Sequence, residues 1–363
     1  MSAEINLEEL LNNWKDCQDI DLRGKLSLRY LNKINSTLKP NINSKLPVVA
    51  DLFAGCGGLS LGFEAAGFKT IGYEIENSCI DTYNHNLAGQ CYQKLLDESS
   101  LIECAEVIIG GPPCQPFSVR GKQAGSEDSR NGFPAFVAAI KTHKPDIWLF
   151  ENVRGVFFKN KSYIENVIEE LQNIGYIVDL EILNAVNYNV PQNRERVFVC
   201  GHKGNFKFPK PFTYKLPSGV AVWDLIDEVP DDAKFLTQSQ DKYIATYEAK
   251  SKCIRPRDLH LELPARTLTC RNLAGATSDM HRVLLPDGRR RRLTAREAAR
   301  LQSFPDWFKF FGNQTNQFNQ IGNAVPPLIA YYIALEIKKY VMDTFRYSTN
   351  EIIAINANKK VKL

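Results

Sequence analysis

Apolar runs alternating with amphipathic stretches, glycine clusters where two of those runs end, and a length of 363 residues predict an α/β protein. The expected architecture is a doubly wound, Rossmann-like parallel sheet joined to a smaller, irregular second domain. The alternation starts at Pro47 and runs VVADLF, LSLGFEAAGF, KTIGYEIE, EVIIGG, PAFVAAIKTHK, DIWLFENV and SYIENVIEELQNIG. Hydrophobic residues make up 44% of the chain and charged residues 24%, enough apolar content for sizeable cores. No apolar run approaches the roughly 18–20 residues of a membrane helix, and the first residues are acidic where a signal peptide would be basic. Nine cysteines, an odd count with no C-x-x-C pair, argue against a disulfide framework or a zinc ribbon. A reduced, intracellular protein is expected.

Residues 1–46 are polar and mixed, with a helical start (Leu7, Leu10, Leu11, Trp14) and an Asn/Lys/Ser/Pro-rich stretch from Asn32 to Pro47. They look like an appendage and linker of unknown role. Ser162 with Glu165 forms a capping box, and Gly175 stands where that helix should stop. GYIVDLEILNA and RVFVCGHK follow as two strands joined by a polar turn, VNYNVPQNRE. From about residue 201 to 290 the periodicity fades into a separate, irregular module. Thr294-x-x-Glu297 is a second capping box, opening a short helix that ends near Phe304-Pro305. LIAYYIALEIKKYVMDTF is a helix of about five turns. The expected division is an extension over 1–46, a large domain over 47–200 completed by 318–345, a small domain over 201–317, and a tail over 346–363.

Charge is uneven along the chain. Residues 1–250 carry 26 basic and 32 acidic residues, whereas residues 251–300 carry 12 and 5, with the run Arg289-Arg290-Arg291-Arg292 among them. A local positive excess on an otherwise acidic chain suits an anionic partner, nucleic acid first, although a solvated charged loop has the same composition.

Four constellations carry candidate chemistry. In VVADLFAGCGGLSLGF an apolar strand ends in Gly55, Gly57 and Gly58, where backbone can approach a ligand at the strand's carboxyl end. Ser60 stands where a dinucleotide fingerprint has its third glycine, and the next strand ends at Glu74 and Glu76. That favours a nucleoside without phosphates, such as S-adenosylmethionine, over a pyrophosphate; a tight strand–helix turn alone has the same pattern. Gly110-Gly111-Pro112-Pro113-Cys114 frames a loop that presents Cys114 at the sheet's edge, ahead of a polar, Gly-rich segment suited to a lid. A lone cysteine is more often a small core residue, but a core cysteine needs no such frame. Glu151-Asn152-Val153 ends the neighbouring strand, so a thiol and a carboxyl would meet there, as covalent addition to a heterocycle requires. The alternative is a turn cap or an Arg154 partner. Arg194 and Arg196 in QNRER project to one face of an emerging strand, within reach of a phosphate or a base carbonyl. A salt-bridged surface hairpin would look the same.

Together DLFAGCGG, GGPPCQPFS, ENV, QNRER, LTAREAARLQSFPDWF and QIGNAVPP resemble the cytosine-5 DNA methyltransferase family, in the family's order, over residues 51–327. The resemblance implies a methyltransferase sheet using S-adenosyl-L-methionine and releasing S-adenosyl-L-homocysteine, with no metal, and a small target-recognition domain. By that resemblance Cys114 is the nucleophile toward C6 of cytosine and Glu151 the acid at N3. Arg196 contacts the base and Arg194 supports the loop or backbone. Phe53, Gly57, Gly58, Glu74, Ile75, Asp97, Pro113, Phe133, Asn323 and Val325 line the methyl-donor pocket. Ile75 departs from members that carry an aromatic there. Ser118, Arg120, Gln123, Arg271 and Asn272 are candidates for DNA contact, with Arg120 or Gln123 filling the stack after the target base flips out, and the basic excess over 251–300 facing phosphates.

The resemblance further implies a bacterial restriction–modification enzyme, monomeric, cytoplasmic and nucleoid-associated through double-stranded DNA, with a cognate restriction endonuclease. Two other readings stay open. An RNA cytosine-5 methyltransferase would show a Cys-Phe-Thr signature that RLQSFPDWFKF lacks. A catalytically silent DNA-binding accessory would have lost the cysteine or the cofactor glycines. A dehydrogenase fails for want of a dinucleotide fingerprint.

Overall fold

The computed structural model describes residues 11, 20–113, 131–159, 161–250, 257–275 and 279–360. Helix α1 (Ile20–Thr37) precedes the sheet. Seven strands then follow: β1 (Val48–Leu52), β2 (Lys69–Glu74), β3 (Gln90–Gln93), β4 (Val107–Gly110), β5 (Ile147–Val153), β6 (Ile177–Asn184) and β7 (Glu195–His202). Their order in space is β3-β2-β1-β4-β5-β7-β6. The first five are parallel, and β7 runs antiparallel to both β5 and β6. The expected α/β fold with a parallel-dominated sheet is therefore present. Chain order reverses direction between β1 and β4, so a crevice opens beyond their carboxyl ends.

Helices cover both faces. On one lie α2 (Gly58–Ala66) and the long C-terminal helix, whose Ile329, Ile333 and Ile337 are buried with Val49, Ile109 and Leu149. Helix α3 (Asn77–Asn86) follows β2. On the other face, α4 (Phe133–His143) and α5 (Lys161–Asn173) pack Phe136, Ile140 and Leu171 against Ile108, Trp148 and Phe150. Gly175 ends the α5 turn with φ 100°, in the left-handed region glycine adopts without strain.

The irregular region holds more structure than its periodicity suggests. It contains α6 (Gln238–Lys250), α7 (Cys270–Ala274) and a two-stranded sheet of β8 (Arg282–Leu284) and β9 (Arg290–Arg292). Helix α6 escaped the sequence reading because only Ile244 of its residues is buried, leaving no apolar stripe. Helix α8 (Ala295–Leu301) opens with the expected capping box between Thr294 and Glu297. Helix α9 (Gln314–Asn323) leads into α10 (Pro327–Lys360), the long helix already described.

The segment read as an appendage is packed. Leu26, Tyr30, Ile34 and Leu38, spaced four apart on one face of α1 and its end, are buried. Ser27 Oγ donates to the Val220 carbonyl at 2.9 Å, and Tyr30 Oη donates to that of Arg300 at 2.5 Å. The stripe was visible in sequence, but its partners lie too far along the chain for any local pattern to reveal them. Of the helical start, Leu11 is buried, whereas Leu7, Leu10 and Trp14 lie outside the described residues.

Helix α2 meets α10 at Gly62, where an added Cβ would collide with the backbone of Ala330 and Tyr331. Gly62→Ala is therefore expected to cost about 1–3 kcal/mol through overpacking. Gly24→Ala, in α1 with open space around it, is expected to stabilise by about 0.5–1 kcal/mol. Urea unfolding of the two variants checks both signs.

Candidate active site

The crevice's first wall is the loop after β1. Phe53 (φ 63°), Gly55 (φ 54°) and Gly57 (φ 87°) turn it through left-handed backbone. Glu74, at the tip of β2, holds the loop. Its Oε2 accepts from Gly55 N at 2.8 Å, and its Oε1 from Ile75 N and Glu76 N at 2.7 and 3.0 Å. A Cβ on Gly57 would lie 2.9 Å from the Tyr83 ring, and one on Gly58 2.5 Å from the Val325 carbonyl oxygen. Both glycines are thus required by close approach. Beneath them runs a buried polar chain: Ser60 Oγ donates to Asp51 Oδ2 at 2.6 Å, Tyr83 Oη to Ser60 Oγ at 3.0 Å, and Thr70 Oγ1 to Glu64 Oε1 at 2.7 Å. Thr70 Oγ1 and Tyr83 Oη lie 2.6 Å apart, which joins the two ends.

The other residues assigned to the donor pocket differ in accessibility. Ile75 and Asn323 are exposed, and Val325 is buried. Pro113 and Phe53 both lie against Gly132, at whose position a Cβ would stand 2.5 Å from Pro113 Cδ. Phe133 is fully buried, edge-on to Phe150, so in this conformation it is a core side chain. Asp97 is exposed, and its Oδ1 accepts from Ser99 N, Ser99 Oγ and Ser100 Oγ within its own turn. Those bonds pull its pKa below the ordinary carboxylate value.

The second wall is the adjacent pair β4 and β5, parallel as expected, with Gly110 level with Phe150. Glu151 follows Phe150, with its side chain only 12% exposed. Burial raises its carboxyl pKa, and the charges of Arg196 and Arg194 act in opposition. Arg196 Nε lies 2.9 Å from Glu151 Oε1, and Arg196 Nη1 donates to the Glu195 carbonyl at 2.8 Å. The Gly111 loop passes this carboxyl, with a Cβ at residue 111 standing 3.8 Å from Glu151 Oε2. Asn152 Nδ2 donates to the Pro112 carbonyl at 3.0 Å. Sequence reasoning gave Asn152 no task, although its place in ENV pointed to one. Cys114, Ser118, Arg120 and Gln123 lie outside the described residues.

Arg194 is placed differently from Arg196. Its guanidinium is buried and donates to the carbonyls of Leu268 (2.8 Å), Gly322 (3.1 Å) and Ala324 (2.9 Å). Its side chain thus holds backbone from three places along the chain. Gln192 Nε2 donates to Gln302 Oε1 at 2.9 Å while its Oε1 accepts from Leu268 N at 2.8 Å. Gln302 Nε2 continues to the Ile321 carbonyl at 2.7 Å. The expected polar turn VNYNVPQNRE is accordingly mostly buried, because partners from three distant segments satisfy its polar groups.

The recognition segment abuts this junction. Thr267 Oγ1 donates to the Asn193 carbonyl at 2.6 Å, and Cys270 Sγ to Asn323 Oδ1 at 2.8 Å. Arg271 is half exposed. Asn272 is not free to read a base: its Oδ1 accepts from Thr269 N and its Nδ2 donates to the Thr267 carbonyl, closing a capping box. The basic run also differs from expectation. Arg291 forms a fully buried, two-pronged pair with Glu297 at 2.7 Å, Arg290 pairs with Asp258 at 3.0 Å, and Arg289 with Asp287 at 2.7 Å. Arg282 holds Glu248 and Asp258, and Arg300 holds Asp224 and Asp306. Several of these acids lie outside the 251–300 window, so the local count overstated free positive charge.

Sheet order, crevice and a buried acid beside a Gly-Pro loop define a methyltransferase-like α/β protein, and comparison with known proteins makes the class specific. The chain matches the family model of C-5 cytosine-specific DNA methylases over residues 48–339 and belongs to that family. It is a DNA cytosine-5 methyltransferase of the type found in restriction–modification systems. It is 56% identical over 316 residues to the Type II methyltransferase M.AplI of Arthrospira platensis, covering 86% of this chain and 91% of that protein. It is 34% identical to the Type II methyltransferase M.FnuDI of Fusobacterium nucleatum, over 80% of this chain and 94% of that one. Among solved structures it is similar to a putative DNA modification methyltransferase encoded in an E. coli prophage (TM-score 0.62, 25% identity, 80% of this chain and 98% of the other). Dnmt2 of S. pombe shares the fold, with TM-score 0.61 at 17% identity and coverage of 81% and 99%. Among the described residues no helix is long and apolar enough to cross a membrane.

Burial raises Asp51 from 3.8 to about 7. Between those values the folded chain holds a proton that the unfolded chain has lost. The group's stabilisation is therefore complete below pH ~4 and is lost as pH rises through ~7. Asp51→Asn keeps an acceptor for Ser60 without that titration. Its Tm relative to wild type is expected to climb between pH 5 and pH 8, by the equivalent of on the order of a few kcal/mol; a flat difference would refute the assignment. Arg194→Lys, whose ammonium lacks the planar fork, is expected to cost about 2–4 kcal/mol in urea unfolding.

Proposed function

We propose that this enzyme methylates C5 of a flipped-out cytosine within a short specific sequence of double-stranded DNA. Methylation proceeds through a covalent bond from Cys114 to C6 and protects the DNA from a cognate restriction endonuclease. The observation that carries the reading is Glu151: a buried carboxyl with a raised pKa, ion-paired to Arg196, on the strand beside the Gly-Pro frame that leads to Cys114.

Cytosine C5 is too weak a nucleophile to take a methyl group unaided. Addition of the Cys114 thiolate at C6, with a proton held at N3 by Glu151, makes C5 enamine-like and nucleophilic. Arg196 suits two tasks. It orients the Glu151 carboxyl, and its guanidinium edge offers donors to the base carbonyl. C6 is shielded inside a stacked duplex, so the base must leave the stack to reach this edge.

The other wall fits S-adenosylmethionine. Left-handed glycines floor the crevice, close approach at Gly57 and Gly58 excludes side chains, and the Glu74 carboxylate stands at the tip of β2. Three backbone donors occupy Glu74, leaving acceptor capacity on Oε2 for a ribose hydroxyl. When bound, the cofactor supplies an electrophilic sulfonium methyl group. Gly57, Gly58, Glu74, Ile75, Asn323 and Val325 would hold it. Asp97, tied into its own turn, and Phe133, buried in the core, would have to rearrange to take part.

Bisulfite sequencing of DNA from a methylation-free bacterial host expressing the enzyme tests the reading. Protected cytosines at one short recurring sequence are expected, and they should disappear with Cys114→Ser. Glu151→Gln keeps the shape but cannot carry the proton, and is expected to lower kcat about 10²–10⁴-fold while S-adenosylhomocysteine binding persists. Fully converted DNA from wild type with intact cofactor binding would overturn the reading.

A further inference from the structure

With Arg289, Arg290 and Arg291 of the basic run paired to acids, further positive charge lies elsewhere in the recognition module. Three arginines converge on Asp279. Arg266 donates from Nη1 to Asp279 Oδ1 at 3.3 Å and from Nη2 to the Asp279 carbonyl at 2.5 Å. Arg271 Nε lies 3.7 Å from Oδ2, and Arg257 Nε 3.9 Å from Oδ1. Among the described residues no other acid is within ion-pair distance of these three side chains, so three positive charges share one negative. The acids nearby are committed: Glu248 and Asp258 hold Arg282 at 2.9 and 2.8 Å, and Asp258 also holds Arg290. The surplus is felt by His281, which burial and then the charges of Arg266, Arg257 and Arg282 push down to about 3.

The three differ in how they are held. Arg266 is fixed by two hydrogen bonds and is the least exposed, at 30%, against 37% for Arg257 and 49% for Arg271. The longer contacts of Arg257 and Arg271 leave their guanidinium edges available to an outside anion. Arg271 stands on α7, in the segment whose Leu268 and Cys270 are bonded to the junction beneath the crevice. A duplex presented to the crevice would bring its backbone near.

We propose that Arg257 and Arg271, spread on Asp279 and buttressed by Arg266, form a clamp for DNA phosphates, and that this cluster supplies the grip assigned by composition to Arg289–Arg292. The inference rests on the reading that this enzyme acts on double-stranded DNA. Phosphate contacts fix register and orientation without reading sequence. Asp279 keeps the two arginines apart and moderates their pull on the backbone of any duplex.

The test is the salt dependence of binding by the full-length enzyme, with S-adenosylhomocysteine present, to a duplex carrying the sequence found by bisulfite analysis and to one lacking it. Arg257→Gln and Arg271→Gln are each expected to reduce the slope of log K against log salt by about 0.9, and the double variant by about twice that. The loss should be the same for both duplexes. Asp279→Asn should bind both duplexes more tightly and by the same factor, a gain that simple structural damage would not produce. Arg289→Gln should leave the slope unchanged. S-adenosylhomocysteine affinity, measured on every variant, reports an intact fold. An unchanged slope in the double variant, or a loss confined to the target duplex, would overturn the clamp while leaving DNA methylation by the wild type standing. A wild type that methylates no DNA would overturn the underlying reading instead.

Discussion

The geometry of the active site depends on how one buried guanidinium is satisfied. Three segments outside the main sheet, around residues 185–194, 265–272 and 301–325, meet beneath the crevice, with few ladder hydrogen bonds to occupy their backbone. A buried carbonyl without a donor costs about as much as a lost hydrogen bond. Arg194 meets that demand at Leu268, Gly322 and Ala324 together, while Gln192 and Gln302 serve Leu268 and Ile321. A planar fork with five donors suits scattered acceptors in a way a single ammonium cannot. Burial and the neighbouring Arg196 charge pull the Arg194 pKa down, against which Glu151 and the three carbonyl acceptors favour the charged form.

From that anchor the rest of the site follows by register. Two residues beyond Arg194, β7 places Arg196 level with Val153 of β5 and within 2.9 Å of Glu151. One residue beyond Glu151, Asn152 holds the Pro112 carbonyl. On the far side, the carbonyls held by Arg194 flank Asn323 and precede Val325, whose own carbonyl packs against Gly58. Glu151, the Gly-Pro segment ending at Pro113 and the glycine loop after β1 thus share one support. Substitutions at the support should disturb all three together, whereas those at Glu151 should disturb one.

Local patterns carried most of the fold. The strand runs, the glycine turn at Gly175 and the capping box at Thr294 are written within a dozen residues of where they act, and the adjacency of β4 and β5 follows from the alternation of strand and helix. What stayed hidden depends on distance in sequence. The stripe Leu26, Tyr30, Ile34 gave no hint of Val220 or Arg300, and the polar letters of VNYNVPQNRE suggested solvent where there are buried partners. Helix α6 had no apolar stripe to see. In the site, residue types drew attention to Glu151 and Arg196 separately, and no local pattern paired them. The structure sets Arg196 against the carboxyl and Arg194 on backbone carbonyls.

The arginine-rich window shows why composition locates a partner less well than pairing does. Twelve basic residues over 251–300 suggested one continuous binding face. Arg291 and Glu297, each fully buried, instead close the end of α8, with Glu297 also accepting from Thr294 N at 2.8 Å. Such a pair gains from its mutual geometry, because both ions have left water and neither can be removed alone without stranding the other. It offers nothing to an outside anion. An arginine that shares its only carboxylate with two others keeps most of its field, and partial exposure lets that field reach beyond the surface. Surplus charge after pairing, rather than charge along the chain, is the quantity that DNA meets. By that measure, among the described residues, Arg257 and Arg271 around Asp279 carry surplus charge beside the segment joined to the crevice, so grip and chemistry would be coupled through the same few residues.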